Sequence, residues 1–454
     1  MGFERSEEIR IDGTSGGLGE VARPAGPLVL SQMLITAMGV ADAAIVGRLG
    51  ASELAAVGLA GMWVWALSAF FVGAATAIQT FVAQVHGAGS PEEAGGWCWQ
   101  GMASVVPIAA TASLLLFLGA NAMLEMIAPS ETVAPLARGY MRGRALGVVG
   151  LVFAVSLSSF FRGIGDARTP FVATAIANLV NLFLDLGLVY GWYGFPKLGV
   201  VGAGIATSTS EWCYAGIMAI AFFRAPIRRA FRTGWTRPDL DPVVRLWRVG
   251  LPIAGQWVTE MAALALFTTF VARMGDAAMA ASHAFVQILS LSFMQAEGIS
   301  MAASTLVGRY IGAQQLDLVR RSFRSSVLLG TLLTVGVGAL FLAIPERLVG
   351  LFADDPAVLA YAAPLLAVGA LYQYCDAMAI VTDGALRGAG DTKWPFFARS
   401  ALAWGMLLPL AWLFAFRFDG GLTGAWLGGL VSMALLAALL FFRFRSGAWQ
   451  RIRI

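Results

Sequence analysis

Long apolar stretches recur along the whole chain, and they constrain its fold more than any other feature. A membrane-spanning helix needs about 20 consecutive, mostly apolar residues. We count twelve such stretches, the first near 24–48 and the last near 421–443. Only 13% of the 454 residues are charged, which is too few to cover a water-soluble globule of this size. The sequence therefore predicts an all-α integral membrane protein with twelve transmembrane helices.

Basic residues are distributed unevenly between the two sides of these spans. With the N-terminus inside, 22 of the 31 Lys and Arg residues fall on the inner side and 8 on the outer side, while Arg399 lies within a span. An excess of basic residues marks the cytoplasmic side. We therefore predict a multi-pass protein of the inner (plasma) membrane with both termini in the cytoplasm. The same rule explains the basic segment 225–246, so no nucleic-acid partner is expected.

The chain also contains an internal duplication, which is clearest in one polar loop. The sequence "RGIGDARTPF" at 162–171 returns as "RGAGDTKWPF" at 387–396, and in the same register Pro27 has its counterpart in Pro252. Six spans per copy is an even number, so both copies cross in the same direction and form a parallel repeat. We interpret the repeated loop as a cytoplasmic elbow of each copy. The predicted organisation is a cytoplasmic segment 1–23, a six-helix lobe 24–224, a cytoplasmic linker 225–246, a second lobe 247–443 and a cytoplasmic tail 444–454.

Carboxylates inside the spans are the main candidates for function, because ionisable groups are costly in lipid. Asp42 and Asp185 are predicted at one depth in the first lobe, and Glu260 and Asp376 at one depth in the second. In the other copy of the repeat, the equivalent of each of these four positions holds Phe, Leu or Ile. Because the shared scaffold does not require the acids, we interpret all four as functional and as unpaired charges.

Neighbouring polar residues extend these two groups. Asn178, Asn181 and Asp185 follow i, i+3, i+7 spacing and share one helix face. Gln256 lies one turn from Glu260. Tyr372 lies one turn from Asp376, and Glu211 lies near mid-span, so we add Asn178, Gln256, Tyr372 and Glu211 as further polar cavity residues. Asp383 is expected to pair with Arg387 at i+4.

Paired carboxylates in a dry cavity can do two kinds of chemistry. They can coordinate Na⁺ together with amide and hydroxyl oxygens, either at Glu260 and Asp376 or at Asp42 and Asp185. Alternatively, they can hold a proton, because burial and a like charge disfavour the ionised form. Either ion would couple transport to a gradient, so H⁺ and Na⁺ both stay open and no other cofactor is expected. No nucleophile–base or metal motif indicates an enzyme.

The motifs together resemble the multidrug and toxic compound extrusion (MATE) transporters. They are "VADAAIVGRLG" in span 1, "RGIGDARTPF" after span 4, "NLVNLFLDLGLVYG" in span 5, "GAGIATS" in span 6 and "YQYCDAMAIVTDGALRGAGDTKWP" in span 10. The resemblance covers nearly the whole chain. It implies a V-shaped bundle of two pseudo-symmetric six-helix lobes that exports organic, often cationic, compounds in exchange for H⁺ or Na⁺.

The resemblance also implies roles for single residues. Asp42 matches an acid of the first lobe that binds a proton or cation, and Asn181, Asp185 and Thr207 match its polar partners. Glu260 in "PIAGQWVTE" and Asp376 in "YQYCD" match acids of the second lobe in the NorM-like branch, which favours that branch. One departure is "ADAA" in span 1, where many relatives have "VDT", so a hydroxyl that would complete a Na⁺ shell is missing.

The leading functional prediction is a secondary antiporter, acting as a monomer among membrane lipids, that exports cationic or lipophilic drugs and toxins. Two alternatives stay open. One is a dedicated exporter of a single metabolite. The other is a flippase of a lipid-linked precursor, which would favour extra spans and a basic cavity rather than twelve spans and buried acids.

Overall fold

Twelve long helices make up the chain in the computed structural model, which describes residues 16–127, 130–352 and 355–452. Residues 1–15 of the predicted N-terminal segment and residues 453–454 of the predicted tail lie outside these ranges. The helices are α1 (Leu18–Gly47), α2 (Ala51–Gly87), α3 (Ala94–Ile127), α4 (Val133–Gly163), α5 (Arg168–Tyr190), α6 (Val200–Phe223), α7 (Leu240–Ala272), α8 (Asp276–Gly312), α9 (Leu316–Ala343), α10 (Ala362–Gly388), α11 (Lys393–Arg417) and α12 (Gly421–Arg445). The prediction of an all-α membrane fold with twelve long helices is confirmed.

Eleven of these helices are long and apolar enough to cross a membrane, by length and composition, within the described residues. The twelfth, α6, is less apolar because the polar run "TSTSE" occupies positions 207–211 at its centre. Most of this run is buried, since α6 packs against α4 and α5. Polar side chains are tolerated at membrane depth where neighbouring helices surround them.

Short helices connect the long ones on the chain's surface. They span Ala225–Phe231, Pro345–Gly350 and Pro356–Leu359. The segment predicted as the linker, 225–246, is therefore partly helical, and its last residues already belong to α7. We refer below to α1–α6 as the first half and to α7–α12 as the second half.

Helix α1 crosses from the second half to the first. Near its start, Val21 is buried in an apolar cluster with Tyr310 and Phe323 of the second half. Near its end, Val46 is buried in a cluster with Met141 of the first half. Such packing stabilises helix association in membranes, where lipid and protein interiors are equally apolar.

Helix α7 makes the reciprocal crossing. Ile253, which directly follows the internal Pro252, is buried with Phe161 of the first half. Further along the same helix, Phe267 is buried with Phe285 of the second half. The two crossing helices thus exchange places between the halves, and each carries one of the predicted acids.

The side of the bundle where α1 begins and α12 ends, called the termini side below, is closed by hydrogen bonds between the halves. Thr80 Oγ1 of α2 donates to the Arg387 carbonyl oxygen at 3.0 Å. Thr305 Oγ1 of α8 donates to the Arg162 carbonyl oxygen, also at 3.0 Å. Thr80 and Thr305 are equivalent positions of the internal repeat, as are Arg162 and Arg387, so the two bonds are related by the duplication.

Small residues allow this close approach. Gln84 Nε2 donates to the carbonyl oxygen of Gly388 at 3.0 Å. A Cβ atom at Gly87 would overlap the main chain of Arg309, and one at Gly312 would overlap that of Gln84. The repeated loop therefore has a second role besides turning the chain: its arginine carbonyls join the two halves.

Candidate functional site

The predicted acids of the first half do meet at one point, which we call the first-half site. It consists of Asp42 on α1, Asn181 and Asp185 on α5, and Thr207 on α6. Oriented to satisfy both carboxylates, the Asn181 amide nitrogen donates to Asp42 Oδ1 at 2.9 Å and to Asp185 Oδ2 at 3.2 Å. Thr207 Oγ1 lies 3.4 Å from Asp42 Oδ2 and also donates to the Ala203 carbonyl at 2.9 Å.

Both carboxyl groups of this site lie within hydrogen-bonding distance of one amide nitrogen, that of Asn181. Asp185 is fully buried and Asn181 is 1% exposed, whereas Asp42 is partly accessible. Two carboxylates this close repel each other when both are ionised, which favours a bound proton or cation. Among the described residues, Asp185 Oδ1 has no hydrogen-bond partner. The arrangement can therefore hold a proton, or exchange it for a small cation.

An ion pair that the sequence did not reveal lies beside this site. Arg144 on α4 donates to both oxygens of Glu211 on α6, at 2.8 and 2.9 Å, and both side chains are nearly buried. Our prediction counted Arg144 with the outer loops and Glu211 with the free cavity acids. The first placement is wrong, because Arg144 lies within α4. Glu211 is a paired carboxylate and not a free acid. An arginine inside a predicted span was the signal that could have found the pair.

The second half contains a cavity of ≈ 300 Å³, which we call the second-half cavity. Its charged lining residues are Glu260 on α7, Asp376 on α10 and Arg399 on α11. Arg399 Nη1 donates to Glu260 Oε1 at 2.6 Å. Glu260 is thus not the unpaired acid that we expected, since an arginine from a neighbouring span reaches it. Asp376 has no hydrogen-bond partner among the residues that the structure describes.

Aromatic and apolar side chains form the remaining walls of this cavity. They include Phe267, Phe293, Tyr372 and Trp426, and the Tyr372 and Trp426 rings contact each other edge-to-face at 5.8 Å. Tyr372 is therefore a cavity residue as predicted. The sequence could not select these rings among 14 Trp and 29 Phe.

The cavity occupies the place in the second half that the acid cluster occupies in the first. Phe267 is the counterpart of Asp42 in the register of the repeated loop. Gly429 is the counterpart of Thr207 in the register that relates "GVVGAG" (199–204) to "GLTGAW" (421–426). Both Phe267 and Gly429 line the cavity. The repeat supplies equivalent positions, and the substituted side chains turn a polar cluster into an open, aromatic chamber.

Two other predicted cavity residues have structural partners instead. Asn178 Nδ2 donates to the Leu34 carbonyl of α1 at 2.7 Å and so joins α5 to α1. Gln256 Nε2 lies 3.4 Å from Asp383 Oδ1, nearer the termini side than the cavity. Asp383 pairs with Arg387 at 2.5 Å, as the i+4 spacing predicted.

No group of three or more His, Cys, Asp or Glu side chains within 16–127, 130–352 and 355–452 is arranged to hold a metal ion. Either candidate Na⁺ site would therefore have to complete its shell with amide, hydroxyl or main-chain oxygens. The choice between Na⁺ and H⁺ stays a prediction.

Comparison with known proteins places this arrangement in one family. The MatE family profile matches the chain twice, at residues 27–186 and 252–413. The "Probable multidrug resistance protein NorM" of Pseudomonas putida is 31% identical over 95% of this chain and 94% of its own length. Its namesake from Thermotoga maritima is 29% identical over 95% and 93%. The chain belongs to the MATE family.

Solved MATE structures share the fold. The crystal structure of a MATE in the straight conformation has a TM-score of 0.88 at 20% identity, covering 96% of this chain and 98% of that one. The eukaryotic MATE transporter AtDTX14 has a TM-score of 0.84 at 21% identity, covering 95% and 96%. The predicted family and its NorM-like relatives are thereby confirmed.

The two profile matches begin at 27 and 252, the same spacing that separates the repeated loops at 162 and 387. The MATE fold of this chain is therefore built from two copies of one sequence unit. The chain is a multi-pass membrane transporter by family. The structure adds where this member keeps its charges: a carboxyl pair in one copy, and an arginine-containing cavity in the other.

Proposed function

We propose that the chain exports organic cations, including lipophilic drugs and toxins, in exchange for H⁺ or Na⁺. The observation that carries the proposal is the Asp42–Asp185 carboxyl pair, held by Asn181 next to the crossing of α1 from one half to the other. A group whose protonation changes at such a helix can alter how the halves pack. The relatives named for multidrug resistance support the substrate class.

The two sites divide the task. The first-half site presents two carboxylates bridged by the Asn181 amide, which suits H⁺ or Na⁺. The second-half cavity has aromatic walls and a net negative charge, which suits an organic cation. Loading the first-half site from the outer side would favour release of the cation, and the empty, ion-loaded protein would then return to face the inner side. Release of the ion there would allow the next cation to bind.

The orientation follows from the basic residues. We place the termini side in the cytoplasm and the helices in the inner membrane. The protein would act as a monomer surrounded by membrane lipids. Export then requires the seal at Thr80 and Thr305 to open toward the cytoplasm for loading.

The test is efflux of a fluorescent cation from proteoliposomes under an imposed pH gradient or an imposed Na⁺ gradient, applied separately. We expect Asp42→Asn to abolish gradient-driven efflux, because it removes the exchangeable proton or charge. Asp185→Asn should do the same, whereas Asn178→Ala, one turn from Asn181, should retain coupling. Normal gradient-driven efflux by Asp42→Asn would contradict the proposal.

A further inference from the structure

A nearly buried arginine lies in the cavity that the proposed function assigns to a cation. Arg399 is 11% exposed and contacts Glu260, which is 37% exposed, by one hydrogen bond from Nη1. Its Nε has no hydrogen-bond partner in the described part of the chain. Arg399 is also close enough to Asp376 to interact with it electrostatically.

The arginine beside the first-half site is held very differently. Arg144 donates to both oxygens of Glu211, the planar two-bond pairing in which Arg and carboxylate geometries match. Arg399 donates to Glu260 from one terminal nitrogen only, and its other guanidinium nitrogens make no bond to that carboxylate. Arg144 thus links α4 and α6 through a two-bond pair, whereas Arg399 makes one bond to Glu260 and also interacts electrostatically with Asp376.

The charge balance of the cavity depends on this one residue. With both carboxylates ionised, Glu260 and Asp376 contribute two negative charges and Arg399 one positive charge. The three are the charged side chains among the described lining residues. The cavity therefore carries one net negative charge, where an isolated carboxylate pair would carry two.

The backbone near Arg399 also departs from regular helix. The α-helical start of α11 ends at Leu402, and a π-helical turn follows at Ala403–Leu407. Leu402, Ala403 and Leu407 all line the cavity. Such turns are often found at functional sites, where they redirect side chains.

We propose that Arg399 determines the specificity of the second-half cavity, so that it accepts organic monocations and rejects Na⁺ and dications. Na⁺ needs several close oxygen ligands, and the guanidinium both occupies a Glu260 oxygen and repels a small ion in the same space. A large monocation with delocalised charge can lie against Tyr372 and Trp426 and face Asp376. A dication would leave one of its two positive charges uncompensated, because the cavity carries one net negative charge. This inference rests on the proposed function and names its substrate class more narrowly.

The test compares ethidium, a planar monocation, with propidium, which has the same ring system and a second positive charge. Binding of each dye to the detergent-solubilised full-length protein is followed by fluorescence anisotropy, in NaCl and in KCl of equal concentration. We expect wild-type protein to prefer ethidium. In Asp42→Asn protein, whose first-half site lacks one carboxylate, ethidium binding should be insensitive to the exchange of K⁺ for Na⁺. In Arg399→Gln the preference should move toward propidium by about tenfold, and in Arg399→Gln combined with Asp42→Asn, Na⁺ should displace the dye.

Two further variants keep the result interpretable. Arg399→Lys retains the positive charge and should retain the preference for ethidium. Arg417→Gln removes an exposed arginine at the far end of the same helix and should behave as wild type. If Arg399→Gln does not fold, Glu260→Gln tests the dependence on cavity charge instead. It makes the cavity neutral and should weaken ethidium binding about tenfold.

Several outcomes would overturn the inference. They are an unchanged ethidium–propidium ratio in a folded Arg399→Gln, displacement of ethidium by Na⁺ from Asp42→Asn protein, and binding of neither dye to wild-type protein. A different result would reject only the proposed function. That result is selective dye binding that follows Arg399 while wild-type proteoliposomes fail to move ethidium under either gradient.

Discussion

The hydrogen bonds on the termini side provide a quantitative prediction about how readily the two halves separate there. Thr80 is 1% exposed and Thr305 is 4% exposed, and each donates to a main-chain carbonyl of the opposite half. Replacing either hydroxyl by a methyl group keeps the shape and leaves that carbonyl without its donor. Such a bond contributes about 1 kcal/mol net.

Thr80→Val and Thr305→Val should shift the closed–open equilibrium by different amounts, because the two hydroxyls make different numbers of hydrogen bonds. Thr80→Val removes one bond and should shift the closed–open equilibrium of the termini side about fivefold toward open. Thr305 also accepts a hydrogen bond from Gln79 Nε2 at 3.0 Å. Thr305→Val should therefore shift the equilibrium further, and the double variant should shift it by about thirtyfold or more.

Double electron–electron resonance measures this equilibrium directly. Spin labels at Glu92→Cys and Asp317→Cys, two exposed positions that are equivalent in the internal repeat and lie on the termini side, report the separation of the halves. The three native cysteines are first replaced. Thr268→Val is the matched control, because Thr268 is exposed and bonds only within its own helix. An unchanged distance distribution in both folded single variants would refute the reasoning.

Three further predictions concern stability and packing. Arg144→Gln leaves the negative charge of buried Glu211 uncompensated and should lower the stability of the protein by about 3–5 kcal/mol. The double variant Arg144→Gln with Glu211→Gln should recover most of this stability. Thermal melting of the purified protein measures both effects. Gly73→Ala places a Cβ 2.9 Å from a main-chain carbon of α7 and should lower the melting temperature, whereas Gly119→Ala, where the space is open, should not. Asn178→Ala should cost about 1 kcal/mol in the same melting assay, because it removes the hydrogen bond to the main chain of α1.

Much of the first-half site was predictable. Helical spacing puts Asn181 and Asp185 on one face of a single span, and the depth estimate places Asp42 at the same level, so these residues meet as expected. Their partner Thr207 came only from the family resemblance. Its position on α6 is decided by how α6 packs between α4 and α5.

The pairing of charges was not predictable to the same degree. Glu211 and Glu260 are isolated in the sequence, and their arginine partners lie 67 and 139 residues away. Helical periodicity reports which residues share a face of one helix. It does not report which face of another helix packs against them.

The sequence by itself determined the all-helical membrane fold, the two copies of a six-span unit, and the presence of acids that the copies do not share. These features follow from hydrophobic length and from a fixed repeat spacing, which are properties of the chain in one dimension. Tertiary structure alone decided that α1 and α7 exchange places between the halves and that Thr80 and Thr305 join them. It also decided that Arg399 lines the second-half cavity and that Arg144 forms an ion pair with Glu211. These outcomes depend on which helix faces meet, and small residues and side-chain shape set that packing in three dimensions.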